Sequence, residues 1–159
     1  MAGSRRGVSP DVVLVVTLVL VHFTMYRFLV RWPAMPNFLI GGLLLAALHL
    51  RAGYAAFVGL CLGVLEAAMG LEGMGTISMV FTVLGYLAAR SRDLLFADAR
   101  YYVFIYLFFG TWVGEISLMV VMPGGPGLLK GLVLAPVSAL TTAVVCGLAE
   151  SMATNLRRP

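Results

Sequence analysis

Six apolar runs, separated by short breaks of proline, glycine and charge, constrain this chain more than any other feature. They cover residues 12–30, 37–50, 53–71, 75–89, 101–122 and 127–150. Lipid offers no partner for backbone N–H and C=O groups, so a segment crossing the hydrocarbon core must be helical and needs about 20 such residues. The pattern predicts an all-α integral membrane protein, a single transmembrane domain of six helices over residues 1–159. Only 11% of residues are charged, against about a quarter in a soluble domain. Six spans leave no room for a soluble catalytic domain. The second and fourth runs are short, about 14 and 15 residues, so each must borrow flanking residues, sit in thinned bilayer or bend. The second is also a candidate re-entrant segment. Arg5 and Arg6 before the first run outline a signal peptide, but no small-x-small cleavage site follows, which predicts a retained first helix.

The eleven Lys and Arg sit at segment ends rather than along one stripe, so they read as topology signals and not as a nucleic-acid face. With both termini on one side, Arg5, Arg6, Arg51, Arg90, Arg92, Arg100, Arg157 and Arg158 share it, against Arg27, Arg31 and Lys130 opposite. This asymmetry predicts cytoplasmic termini. Trp32 and the Tyr101-Tyr102 pair then fall at the interfaces. Cys61 and Cys146 lie inside apolar runs and read as small hydrophobes.

Small residues recur every four positions in the sixth run, at Gly127, Gly131, Ala135, Ala139, Ala143 and Gly147, and in the third, at Ala55, Gly59, Gly63 and Ala67. Residues four apart share a helix face, and small faces let backbones approach closely where the hydrophobic effect no longer drives association. Such a seam serves either internal helix packing or docking of another membrane protein, and helices three and six are the expected partner faces. Pro136 removes a donor and frees the Leu132 carbonyl, which predicts a bend.

Four ionisable residues fall in the predicted outer leaflet. Glu66 and Glu115 lie about 8 to 11 Å below its boundary, and Arg27 and Lys130 about 5 Å below. A charge deep in lipid costs roughly 2.5 kcal/mol or more, so pairing of Arg27 or Lys130 with a glutamate competes with snorkelling of the bases and protonation of the acids. His22 reads as an interior hydrogen-bonder. His49 lies too far along helix two to share a metal with it. Glu150 with Arg51, Arg90 and Arg92 forms a second charge cluster at the inner boundary, read as interfacial anchoring.

Recognisable catalytic chemistry is missing from the pattern. Aspartates occur only at Asp11, Asp93 and Asp98, at segment ends, so no intramembrane aspartate dyad is available. No phosphate loop, metal-ligand spacing or nucleophile elbow occurs, and the intramembrane Ser and Thr read as interhelical hydrogen-bonders. The expectation is a non-enzyme without cofactor or metal, surrounded by membrane lipid.

From Met35 to about Leu95 the chain resembles the MreD family of bacterial rod shape-determining membrane proteins. The resemblance lies in Pro36-Asn37, an aliphatic helix ending at Arg51, Gly59 and Gly63 four apart, acidic Glu66, Gly75, and a helix closing through Gly85-Tyr86-Leu87 into Arg90 and Arg92. The family usually carries an aspartate four residues after the second glycine; here Glu66 comes three after it and Ala67 takes that place. The resemblance implies a scaffold of the cell-elongation complex in the bacterial cytoplasmic membrane. It would bind the single-span protein MreC and associate indirectly with the MreB cytoskeleton and peptidoglycan synthases. It also implies a fold similar to the S-components of energy-coupling vitamin transporters, and hence an alternative, a subunit holding a small solute between its helices.

Overall fold

The computed structural model describes residues 10–29, 36–70, 74–94, 100–121 and 128–155. These form six helices and no strand: α1 (Pro10–Leu29), α2 (Phe38–His49), α3 (Ala52–Gly70), α4 (Met74–Leu94), α5 (Arg100–Val121) and α6 (Leu128–Asn155). Three are long and apolar enough to cross a membrane, with apolar windows over Ala52–Met69, Tyr102–Val121 and Leu132–Thr154. The outside of the bundle is apolar as well: Val16, Tyr54, Phe57, Met79 and Val133 are among many large hydrophobic side chains left exposed. A bundle whose outer surface is this apolar is built for lipid rather than water. The chain is a membrane protein.

Helix α2 organises the rest. Its residues Phe38 through Ala47 carry no polar side chain, and all are buried. A helix apolar on every side belongs at the centre of a bundle, and α2 touches every other helix. Twelve residues make it about 18 Å long, well short of a bilayer core of about 30 Å. A helix this short cannot reach both membrane surfaces, so backbone groups at its ends need side-chain partners.

Two helical pairs wrap this centre. In α3, Ala55, Gly59, Gly63 and Ala67 are all buried, and they lie against α4. A Cβ at Gly59 would run into the Phe81 carbonyl, one at Gly63 would come within 2.6 Å of the Ser78 Cα, and one at Gly85 within 2.5 Å of the Ala55 carbonyl oxygen. Only glycine allows backbones this close. In α6, Ala135, Ala139 and Ala143 are at most 2% exposed, and a Cβ at Gly147 would strike the Phe104 ring of α5 at 2.8 Å. Among the described residues both small-residue seams are covered by neighbouring helices, which is the internal-packing use of the two that the spacing allows. Gly127 and the side-chain environment of Gly131 lie outside the described residues.

The helices begin near the expected positions but two run further. Helix α4 continues past Ala89 through Arg90 and Arg92 to Leu94, and α6 past Glu150 to Asn155. An apolar run measures the length suited to lipid, whereas Arg, Ala, Met and Leu extend a helix into the interface with no glycine or proline to stop it. Helix α6 passes through Pro136 without a break.

Candidate functional site: the two ends of the buried helix

At its N-terminus, α2 meets a chain of hydrogen bonds. The Asn37 side-chain oxygen accepts from the Ile40 N–H at 3.1 Å, satisfying one of the donors that a helix start leaves open. The Asn37 N–H donates to Thr142 Oγ1 at 2.8 Å, and the Thr142 hydroxyl donates to the Ser138 carbonyl at 2.8 Å. The Ser138 hydroxyl in turn donates to Glu115 Oε1 at 2.5 Å. Thr142 lies near the midpoint of α6, so α2 starts beside the middle of a spanning helix. One turn from Glu115 on α5, Thr111 is fully buried, and its hydroxyl has no hydrogen-bond partner among the described residues. The result is a compact polar centre of Asn37, Thr111, Glu115, Ser138 and Thr142 inside an otherwise apolar bundle. The positive end of the α2 dipole faces it.

The C-terminus has a different solution. Arg92 of α4 places Nη1 2.6 Å from the Leu48 carbonyl oxygen, 3.3 Å from that of Leu50 and 3.4 Å from that of Ala47. A guanidinium here satisfies carbonyls that have no helical partner and sits at the negative end of the helix dipole. His49 adds a contact between Nδ1 and the Leu45 carbonyl at 3.1 Å, and its Nε2 lies 3.8 Å from Glu150 Oε1. Glu150 is itself buried. The inner charge cluster read from sequence as interfacial anchoring thus divides: Arg92 and Glu150 are structural groups at the end of α2, and Arg51 and Arg90 are exposed.

A third polar contact joins α1 and α3, where His22 Nε2 lies 3.4 Å from Glu66 Oε2 and the His22 side chain is 4% exposed. Of the four residues grouped from sequence as one outer charge cluster, the structure describes the side chains of the two glutamates. Glu66 faces His22, Glu115 faces Ser138, and the side chains of Arg27 and Lys130 lie outside the described residues. Among the described residues no three His, Cys, Asp or Glu side chains gather as a metal site would require. Cys146 is buried against α2, where a Cβ at Gly41 would meet its Sγ at 2.5 Å.

Sequence reasoning missed the capping roles of Asn37 and Arg92. The first had a local signal, an Asn directly ahead of an apolar helix. The second had none, because Arg92 and its carbonyl partners are more than 40 residues apart. Comparison with protein families, with curated proteins and with solved structures yields no match to this chain.

Proposed function

We propose that this protein is a six-span, non-enzymatic scaffold of the bacterial cell-elongation complex, resembling MreD, with both termini in the cytoplasm and a single-span MreC-like protein as its partner. Peptidoglycan synthases and the MreB cytoskeleton would be reached through that partner. The observation that carries the reading is that residues of the MreD-like stretch have structural work: Asn37 caps α2, Gly59 and Gly63 bring α3 onto α4, and Arg92 closes the other end of α2. A loose run of small and apolar residues has no need to coincide with such constrained positions. The partner face would lie on the lipid-exposed exterior, since the glycine and alanine seams are covered.

The polar centre at the start of α2 favours a second reading, a transporter subunit holding a small solute. A buried carboxyl, a hydroxyl without a partner among the described residues and a helix N-terminus within one bundle are groups that solute sites use.

Copurification in mild detergent followed by mass spectrometry separates the two. The scaffold reading expects a stoichiometric single-span protein and no small molecule. A bound vitamin-sized solute without a protein partner would replace it by the transporter reading. Topology has its own test on a cysteine-free background. Outside labelling should mark replacements at Glu72 and Gly124 and miss those at Ser4 and Asn155. Outside labelling of Asn155 but not Ser4 would require an odd number of spans.

A further inference from the structure

Between α4 and α5 the bundle does not close. A cavity of about 290 Å³ opens there toward the apolar exterior, floored by Leu44 of α2 and walled by side chains including Leu84 and Ala88 of α4 and Ile105 and Val113 of α5. Its volume is at the lower end of the range for small-molecule sites. Along α5 the wall runs from Tyr102 to Val113, about 16 Å of helix, close to the depth of one leaflet of a hydrocarbon core about 30 Å thick.

The two ends of this groove differ. The inner half is wholly aliphatic and aromatic. At the end nearest the arginines, Ser91, Tyr102 and Tyr106 line the wall. Tyr106 is only 7% exposed, and the hydroxyls of Tyr102 and Tyr106 are both buried with no hydrogen-bond partner among the described residues. Buried tyrosine hydroxyls usually find a partner, and an occupant that brings acceptors to that end would supply one. Ser91 is flanked on α4 by Arg90 and Arg92, so positive charge lies at this end of the groove and favours a negative group there. An apolar body one leaflet long, with acceptors and negative charge at the interfacial end, describes a phospholipid.

We propose that the α4/α5 groove is a specific phospholipid site, taking one acyl chain of the leaflet on the arginine-rich side with the ester and phosphate oxygens at Tyr102 and Tyr106. The site does not depend on the scaffold reading or on which side of the membrane that leaflet faces.

The test uses the full chain, purified in mild detergent, washed free of loosely held lipid and titrated with phosphatidylglycerol under native mass spectrometry. The expected result is one phospholipid per chain. Leu87→Trp with Ile105→Trp fills the groove from its exposed rim and should weaken binding by about tenfold or more in a folded, monodisperse protein. Val133→Trp, on the exposed face of α6, should leave binding unchanged. Tyr102→Phe with Tyr106→Phe keeps the shape, removes both hydroxyls and should weaken binding several-fold. Undiminished binding in the filled variant, or an equal loss in Val133→Trp, would overturn the site. Should the filled variant fail to fold, unchanged binding in the double Phe variant overturns it instead. A detergent molecule or a partner's helix found in the groove in place of phospholipid would also overturn it.

Discussion

Helix α4 packs against α2, α3 and α5, and it treats the last two in opposite ways. Toward α3 it presents Gly85, and α3 answers with Gly59 and Gly63, so that the two backbones touch with no side chain between them. Toward α5 it presents Leu84, Leu87 and Ala88 against Ile105, Tyr106 and Phe109, and the larger side chains leave a groove. Both faces are apolar, so hydrophobicity cannot distinguish them. Lipid is as apolar as leucine, and what separates a sealed contact from an open one is how closely the surfaces fit.

This contrast breaks most readily at Gly59. In Gly59→Leu the new side chain meets the Phe81 backbone carbonyl, which cannot step aside. We expect a loss of about 3 kcal/mol or more, at the upper end of overpacking effects, seen as loss of monodisperse protein and a lower unfolding midpoint in detergent. A variant as stable as the parent would show that α3 and α4 do not approach as described.

Arg92→Met tests the α4 contact with the buried helix. The change keeps a long stem and removes the group that reaches three carbonyls, so a loss of about 2 to 3 kcal/mol is expected. Arg92→Lys should restore part of this, because it returns the charge but not the planar fork. Equal losses in both would mean that charge at the helix end contributes nothing.

Between α1 and α3, a double-mutant cycle with His22→Ala and Glu66→Ala should give a coupling of about 0.5 to 1 kcal/mol, since Glu66 is 26% exposed and partly screened. Strictly additive losses would rule the contact out. The smallest effect is expected at the open face. Ile105→Trp alone should change stability by about 0.5 kcal/mol or less, because its side chain already points outward at 55% exposure. A loss as large as that of Gly59→Leu would abolish the distinction between the two faces of α4.

The small-residue seams were legible as periodicity, at Gly59 and Gly63 as at Ala135, Ala139 and Ala143. Their assignment was not. A glycine face packs equally well against a helix of the same chain or of another, and spacing alone carries no information about which is nearer. Glu66 and Glu115 were similarly visible as acids in apolar runs, whereas the contacts that the structure gives them, with His22 and Ser138, were not. Depth along a helix axis says which residues share a leaflet and nothing about which of them touch. Rotation about the axis, which decides what a side chain meets, depends on how neighbouring helices are placed.

By itself the sequence determined that this is a helical membrane protein and roughly where its helices lie, because lipid requires each segment to satisfy its own backbone and so writes the architecture into runs of apolar residues. It also determined that α2 is too short to cross a bilayer unaided. Tertiary structure alone decided that α2 is the hub. Its ends are completed by Thr142 and Arg92, which lie 105 and at least 42 residues from the groups they bind. A buried helix end must find donors and acceptors wherever the fold brings them, and no local pattern records that choice.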